Sequence, residues 1–426
     1  MKHLLLSFSL LFVSLAATAQ LKPRPDAFPP DTTALEPKSV QMADNVDDMA
    51  SWDRYPTYET YLRMMSRWAE TYPQLCHIDT IGVSVRDRLI LSMYIEPQTV
   101  DDLYRPEFFY SSTIHGDEVT GYVMMLHLID TLLSSYGTSP EITSLIDGTR
   151  ISINPLANPD GTYRSGNNSV RGASRYNANN VDLNRNYPDP FAPAKESLEQ
   201  ENRAMIDYVS AHHFRLSANL HGGSEVMNYP WDCFTSLQNP HPAADWWQEV
   251  CQRFVDTARV RDNRRFLDVN ASGVIAGGDW YVIHGGRQDY INFYHDCLEV
   301  TMEISSQKTV GSEQLPAYWN ALGQSFINYI GEIHQLPTSP DPPDPPAAID
   351  ECASLQSQTS VYPNPTAGEI TIVAFENTLA TLHDIHGRHI MDIPLEKDAN
   401  TLYISDLQKG IYFLRIGEKT AKIVIL

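Results

Sequence analysis

At 426 residues the chain exceeds one ordinary domain, and its apolar and aromatic content suffices for a buried core, so two folded units with flanking segments are expected. Its 53 acidic residues against 31 basic ones give a formal net charge of -22. That balance excludes a nucleic-acid binder, which needs a basic face to replace phosphate counterions, and it favours encounter with cationic substrates.

In chain order, Lys2 and His3 precede an apolar run from Leu4 to Ala17, and Ala17-Thr18-Ala19 supplies small residues for cleavage, so residues 1–19 read as a signal peptide. The competing reading, a membrane anchor, needs an apolar run of ~20 residues, and this one is shorter. No later stretch is long and apolar enough to span a bilayer, so the mature chain is expected to lack a transmembrane segment. Residues 20–52 are rich in Pro, Asp and Thr and read as a leader or pro-segment. Cys76, Cys233, Cys251, Cys297 and Cys352 show no metal-ligand clustering and read as buried thiols with at most one or two bridges.

Residues 53–336 alternate helical and strand patterns. Helices are predicted over Tyr58–Glu70, Val119–Leu133, Glu199–Ala211 and Tyr318–Ile333. Strands are predicted over Phe108–Ile114, Arg150–Ile153, Arg215–Leu220 and Leu298–Ile304. The fold class is therefore α/β, a mixed sheet flanked by helices on both faces. Residues 337–350 form a Pro-rich linker, and beyond it the period changes to two. Short strands over Glu369–Phe375, Ala380–Ile385, Arg388–Ile393, Thr401–Ile404, Ile411–Ile416 and Thr420–Leu426 make residues 351–426 a small all-β sandwich. Turns are expected at His386-Gly387 and Gly417-Glu418-Lys419.

Chemistry concentrates at two strand ends. His115-Gly116-Asp117-Glu118 sits where a strand hands over to a helix, in the crevice where α/β proteins bind ligands. His221 ends a second strand and is followed by Gly222-Gly223. Two His and one Glu complete a three-donor site with an open position, the pattern of catalytic zinc. Alone, His-x-x-Glu is more often a solvated loop.

With Asn158-Pro159-Asp160-Gly161, Val181-Asp182-Leu183-Asn184-Arg185-Asn186-Tyr187, Leu220-His221-Gly222-Gly223 and Thr301-Met302-Glu303, the chain resembles the zinc metallocarboxypeptidases, or funnelins. Asn228-Tyr229-Pro230-Trp231-Asp232 and Gly285-Gly286-Arg287-Gln288-Asp289 are closer to the carboxypeptidase N, E and D branch. The resemblance implies one zinc per catalytic domain, held by His115, Glu118 and His221. It implies Glu303 as the general base toward a zinc-activated water and Arg175 as the oxyanion contact, with Arg171 a nearby competitor separated only by spacing. Asn184, Arg185 and Tyr281 would grip the substrate's terminal carboxylate, for which an arginine fork is suited by two parallel charge-assisted bonds. Asp232, with Gln288, would select terminal Lys or Arg, although an acid that merely closes a turn is the plainer reading of Asp232.

The resemblance departs from the branch after the linker. Val361-Tyr362-Pro363-Asn364-Pro365, Gly368 and Gly410-Ile411-Tyr412-Phe413-Leu414-Arg415-Ile416 resemble the C-terminal sorting domain of type IX secretion cargo. This implies a partnership with that machinery and passage through the periplasm to the medium or cell surface. A sugar-binding β module is the alternative for this segment. For the whole chain, the alternatives are a catalytically dead binding relative and a cell-wall peptide peptidase.

Overall fold

A computed structural model describes residues 40–337 and 360–425, apart from 99–104, 190, 193–196, 296, 363–368, 375–376, 385–387, 406 and 417–418. The expected signal peptide, most of the leader, the Pro-rich linker, Cys352 and the His386-Gly387 turn lie outside the described residues.

The strands of the first domain are β1 (Met42–Ala43), β2 (Tyr55–Pro56), β3 (Cys76–Val83), β4 (Leu89–Ile95), β5 (Glu107–Ser112), β6 (Arg150–Asn154), β7 (Phe214–His221), β8 (Ser224–Tyr229), β9 (Val274–Ala276) and β10 (Leu298–Ser305). Its helices are α1 (Tyr58–Thr71), α2 (Thr120–Ser135), α3 (Pro140–Gly148), α4 (Pro159–Thr162), α5 (Gln200–Ala211), α6 (Ala244–Arg261), α7 (Gly277–Trp280), α8 (Arg287–Tyr294) and α9 (Leu315–Gly331). One eight-stranded mixed sheet has the order β3-β4-β6-β5-β7-β10-β8-β9. Strands β6, β5, β7 and β10 run parallel, so their C-terminal ends line one edge.

Local chemistry explains the elements that frame this edge. Thr57 caps α1 by accepting from the Thr60 amide, and the helix buries Tyr61, Met64, Met65 and Trp68 at helical spacing. Strand β5 stops at Ser112, two residues short of the predicted end, because Thr113 has φ +59. Its Oγ1 donates to the Pro155 carbonyl at 3.2 Å and accepts from the Ala157 amide at 3.2 Å. These bonds hold a non-glycine residue in the left-handed region, where strain is characteristic of functional turns.

The folded body begins upstream of residue 53. Val40, Ala43 and Met49 join the main core, β1 pairs with β2, and the Ser312 hydroxyl accepts from the Gln41 amide at 2.8 Å. Burying side chains such as Val40 and Met49 contributes about 1.5–3 kcal/mol each. Residues 40–52, expected as the tail of a leader, thus pack into the first domain. Among the described residues the cysteines form no bridge: Cys76, Cys233, Cys251 and Cys297 are buried thiols.

Beyond the linker, strands Ser360–Tyr362, Glu369–Ala374 and Asp398–Tyr403 form one sheet, and His389–Leu395, Thr378–Asp384, Gly410–Ile416 and Lys419–Ile425 form another, in that order. Both are antiparallel, and Ile370, Ile372, Leu382, Leu414 and Ile423 share one small core. The all-β second unit is as expected.

Candidate metal and peptide site

His115 and Glu118 leave the strand edge in one tight turn, closed by the Glu118 amide donating to the His115 carbonyl at 3.1 Å. Gly116 packs so closely on the Gly161 backbone that any side chain would collide with it. His221 ends β7, directly beside Glu303 of β10 in the parallel register. His115, Glu118 and His221 are all buried, and their donor atoms lie within 4.8 Å of one another.

The hydrogen bonds around the cluster fix which atoms face its centre. His115 Nε2 lies 3.1 Å from Asp182 Oδ1, so it carries the proton and the Nδ1 lone pair faces the cluster. His221 Nε2 lies 2.5 Å from Asn219 Oδ1, and the same logic turns its Nδ1 inward. The two Nδ1 atoms then sit 3.1 Å apart, with Glu118 Oε1 3.1 Å from one and Oε2 2.9 Å from the other. Lone pairs and a carboxylate converging without a hydrogen between them are the donor set of a cation.

The surrounding charges agree. Arg175 Nη1 lies 3.2 Å from His115 Nδ1, and its Nε donates to Asp182 Oδ2 at 2.9 Å. Lys308 Nζ reaches Asp117 at 3.1 Å and Glu118 at 3.5 Å. Asp117, Glu118 and Asp182 place carboxylates around the cluster, met by Arg175, Lys308 and Arg185. Burial opposes ionisation of Glu118, but the positive charge around it, Lys308 included, holds its carboxyl well below the usual range. Asp182 follows the same pattern: burial opposes, and His115 with Arg175 lowers it further than burial raises it.

Two of the remaining predicted residues, Asp232 and Asn184, meet at Gly286. Asp232 and Asn184 both face Gly286, with oxygens 3.6 Å and 3.8 Å from where a Cβ would stand. A side chain at Gly277 would collide with Asp232 Oδ1, so only glycine fits beside that carboxylate. Arg185 is half-buried, and its Nη1 donates to the Asn184 carbonyl at 2.9 Å. Tyr281 ends α7, in a segment tied to Asp232 through the Ile283 amide at 3.1 Å. Gln288 Oε1 accepts from the Thr301 amide at 2.6 Å. Arg171, the competitor of Arg175, donates to the Val40 carbonyl at 2.9 Å and belongs to the N-terminal packing.

Sequence reasoning missed four residues here. Asp182, Asn219 and Lys308 support the cluster through the contacts above. Asp289 accepts from the Asp232 and Cys233 amides, both at 2.8 Å, and burial, then the Asp232 carboxylate, pushes its pKa up to about 8. Asn219 did carry a signal, since Ser217, Asn219 and His221 alternate with apolar residues on a strand buried on both faces.

Comparison with known proteins agrees with this picture. Residues 360–425 match the secretion system C-terminal sorting domain. The chain is 36% identical over 294 residues to carboxypeptidase D of Mus musculus, covering 66% of this chain and 21% of that protein. It is 35% identical over 304 residues to carboxypeptidase M of Mus musculus, covering 66% of each. It therefore spans about a fifth of the carboxypeptidase D that it matches. The solved structure of thrombin activatable fibrinolysis inhibitor shares the fold, with TM-score 0.58 at 16% identity over 67% of this chain and 75% of that one. The domain that builds the buried cluster matches the zinc carboxypeptidase family over residues 61–325, more than half of the sequence, and the chain belongs to that family.

Proposed function

We propose that the chain is a secreted zinc metallocarboxypeptidase that removes the C-terminal residue of peptides and proteins, with preference for Lys and Arg. The observation that carries this reading is the buried His115–Glu118–His221 cluster, supported by Asn184 and Asp232 meeting at Gly286. His115 and His221 through Nδ1, and Glu118 through its carboxylate, would hold one zinc. Bound there, zinc supplies a Lewis acid and lowers the pKa of a coordinated water to about 7.

The chain's own groups do the rest. Glu303, buried beside His221, accepts the proton of the attacking water and returns it to the leaving amine. Arg175 points a guanidinium at the cluster, where oxyanion charge develops on the scissile carbonyl. Arg185 and Asn184, with Tyr281, bind the terminal carboxylate, which restricts cleavage to chain ends. The signal peptide and the sorting domain would bring the chain through the periplasm to the type IX machinery, for release or surface attachment.

Asp232 is the specificity element. A charge-assisted bond contributes about 1.5–3 kcal/mol, roughly ten- to a hundredfold in discrimination. Asp232→Ala is therefore expected to lose that factor in kcat/KM on peptides ending in Arg or Lys, and to retain activity on those ending in Phe. Kinetics on matched dansyl peptides check it; an unchanged order of preference would remove Asp232 from this role.

A further inference from the structure

Behind His221 lies a chain of contacts that no step of the reaction requires. Ser217, Asn219 and His221 occupy one face of β7, and Glu299, Thr301 and Glu303 face them from β10. Asn219 Nδ2 lies 3.4 Å from Glu299 Oε1 and 3.1 Å from Thr301 Oγ1, while its Oδ1 meets His221 Nε2. A carboxylate only accepts, so the amide nitrogen must face Glu299 and the amide oxygen must face the imidazole. Glu299 is itself held by Arg287 Nη2 at 3.0 Å and by the Ser217 hydroxyl at 2.8 Å. Arg287 is fully buried, with its guanidinium 5.0 Å from the Phe109 ring centroid. Its backbone amide donates to Asn184 Oδ1 at 2.8 Å, at one residue of the proposed carboxylate grip.

We infer that the buried Arg287–Glu299 pair is a positioning device: through Asn219 it fixes the tautomer and orientation of His221, and through the α8 N-terminus it sets Asn184. Metal cluster and proposed carboxylate grip thereby share one anchor. The inference rests on the proposal that His221 is a zinc ligand. A buried ion pair is weak evidence of stability, since hydrophobic replacement is often neutral. A fixed amide orientation gives this one a separate use.

The test is zinc affinity of the purified apo chain by competition with a chromogenic chelator, alongside the visible spectrum of the cobalt-substituted protein. Arg287→Met/Glu299→Gln removes both charges at similar volume and frees the Asn219 amide to turn over. Its zinc dissociation constant is expected to rise about 10–100-fold, the usual cost of losing an outer partner of a metal ligand, with a shifted cobalt spectrum and a higher KM. Arg287→Lys, which keeps the charge, is expected to recover most of the affinity. Wild-type affinity and spectrum in the double variant would overturn the inference. Should that variant not fold, Asn219→Ser decides in its place: the same weakening supports the anchor, and unchanged affinity overturns it. If the wild-type chain itself takes up no zinc, it is the ligand assignment of His221 that fails.

Discussion

Glu303→Gln is expected to lower kcat by roughly 10²–10⁴-fold, with KM and zinc content nearly unchanged. The substitution is isosteric, and the site is buried beside His221, where β7 and β10 are held in register, so the fold has no reason to change. What disappears is the one group at that strand end able to take a proton from water and pass it on. Arg185 and Asn184 remain to bind the substrate, which is why KM should hold while turnover collapses. Steady-state kinetics with a peptide ending in Arg, together with metal analysis, check this. A loss below about threefold would show that another group serves as the base.

Removal of the metal is expected to have the largest effect. Treatment with a chelator should take activity below detection, and about one equivalent of zinc per chain should restore it. His221→Ala should not be restored, because two donors remain where three are needed for a closed inner set. The same cluster predicts a stability effect. Two imidazole nitrogens and the Glu118 carboxylate approach one another to about 3 Å, an arrangement that Arg175, Lys308 and the Gly222 amide help to stabilise and that a cation would stabilise further. Zinc at a hundred times its dissociation constant should stabilise the folded chain by about 2.7 kcal/mol, visible as a rise in Tm by calorimetry. Equal Tm with and without zinc would contradict the ligand assignment.

Much of this was legible in the sequence, for identifiable reasons. The helices and strands that carry the cluster have clean periods, and His115, Glu118 and His221 stand at strand ends that the pattern already marks. The β3–β4 hairpin went unseen because its turn uses Asp87 at φ +60 rather than a glycine pair. Strand β8 went unseen because Ser224, Glu225 and Asn228, all buried, break its apolar pattern. Helix α6 was different, since Trp247, Val250, Cys251, Phe254, Val255 and Ala258 carry a full helical stripe that was there to be read. Residues 40–52 looked like a leader because they are polar, yet three buried side chains hold them to the core.

The supporting residues of the site were hidden by distance along the chain. Asp182 meets His115 across 67 residues and Lys308 meets Asp117 across 191, so no local pattern could join them. Polar side chains alternating through a strand buried on both faces were the one local clue. Ser217 and Asn219 on β7, with Glu299 and Thr301 on β10, form a polar ladder that ends at His221 and Glu303. Buried polar groups persist where they are satisfied, and here each rung satisfies the next.

The central claim is that zinc chemistry in this chain is confined to free C-termini. Mass spectrometry of two otherwise identical peptides ending in Arg, one a free acid and the other a C-terminal amide, tests it directly. The account predicts that the free acid loses its terminal Arg while the amide stays intact. Internal cleavage, or equal trimming of the amide, would contradict it.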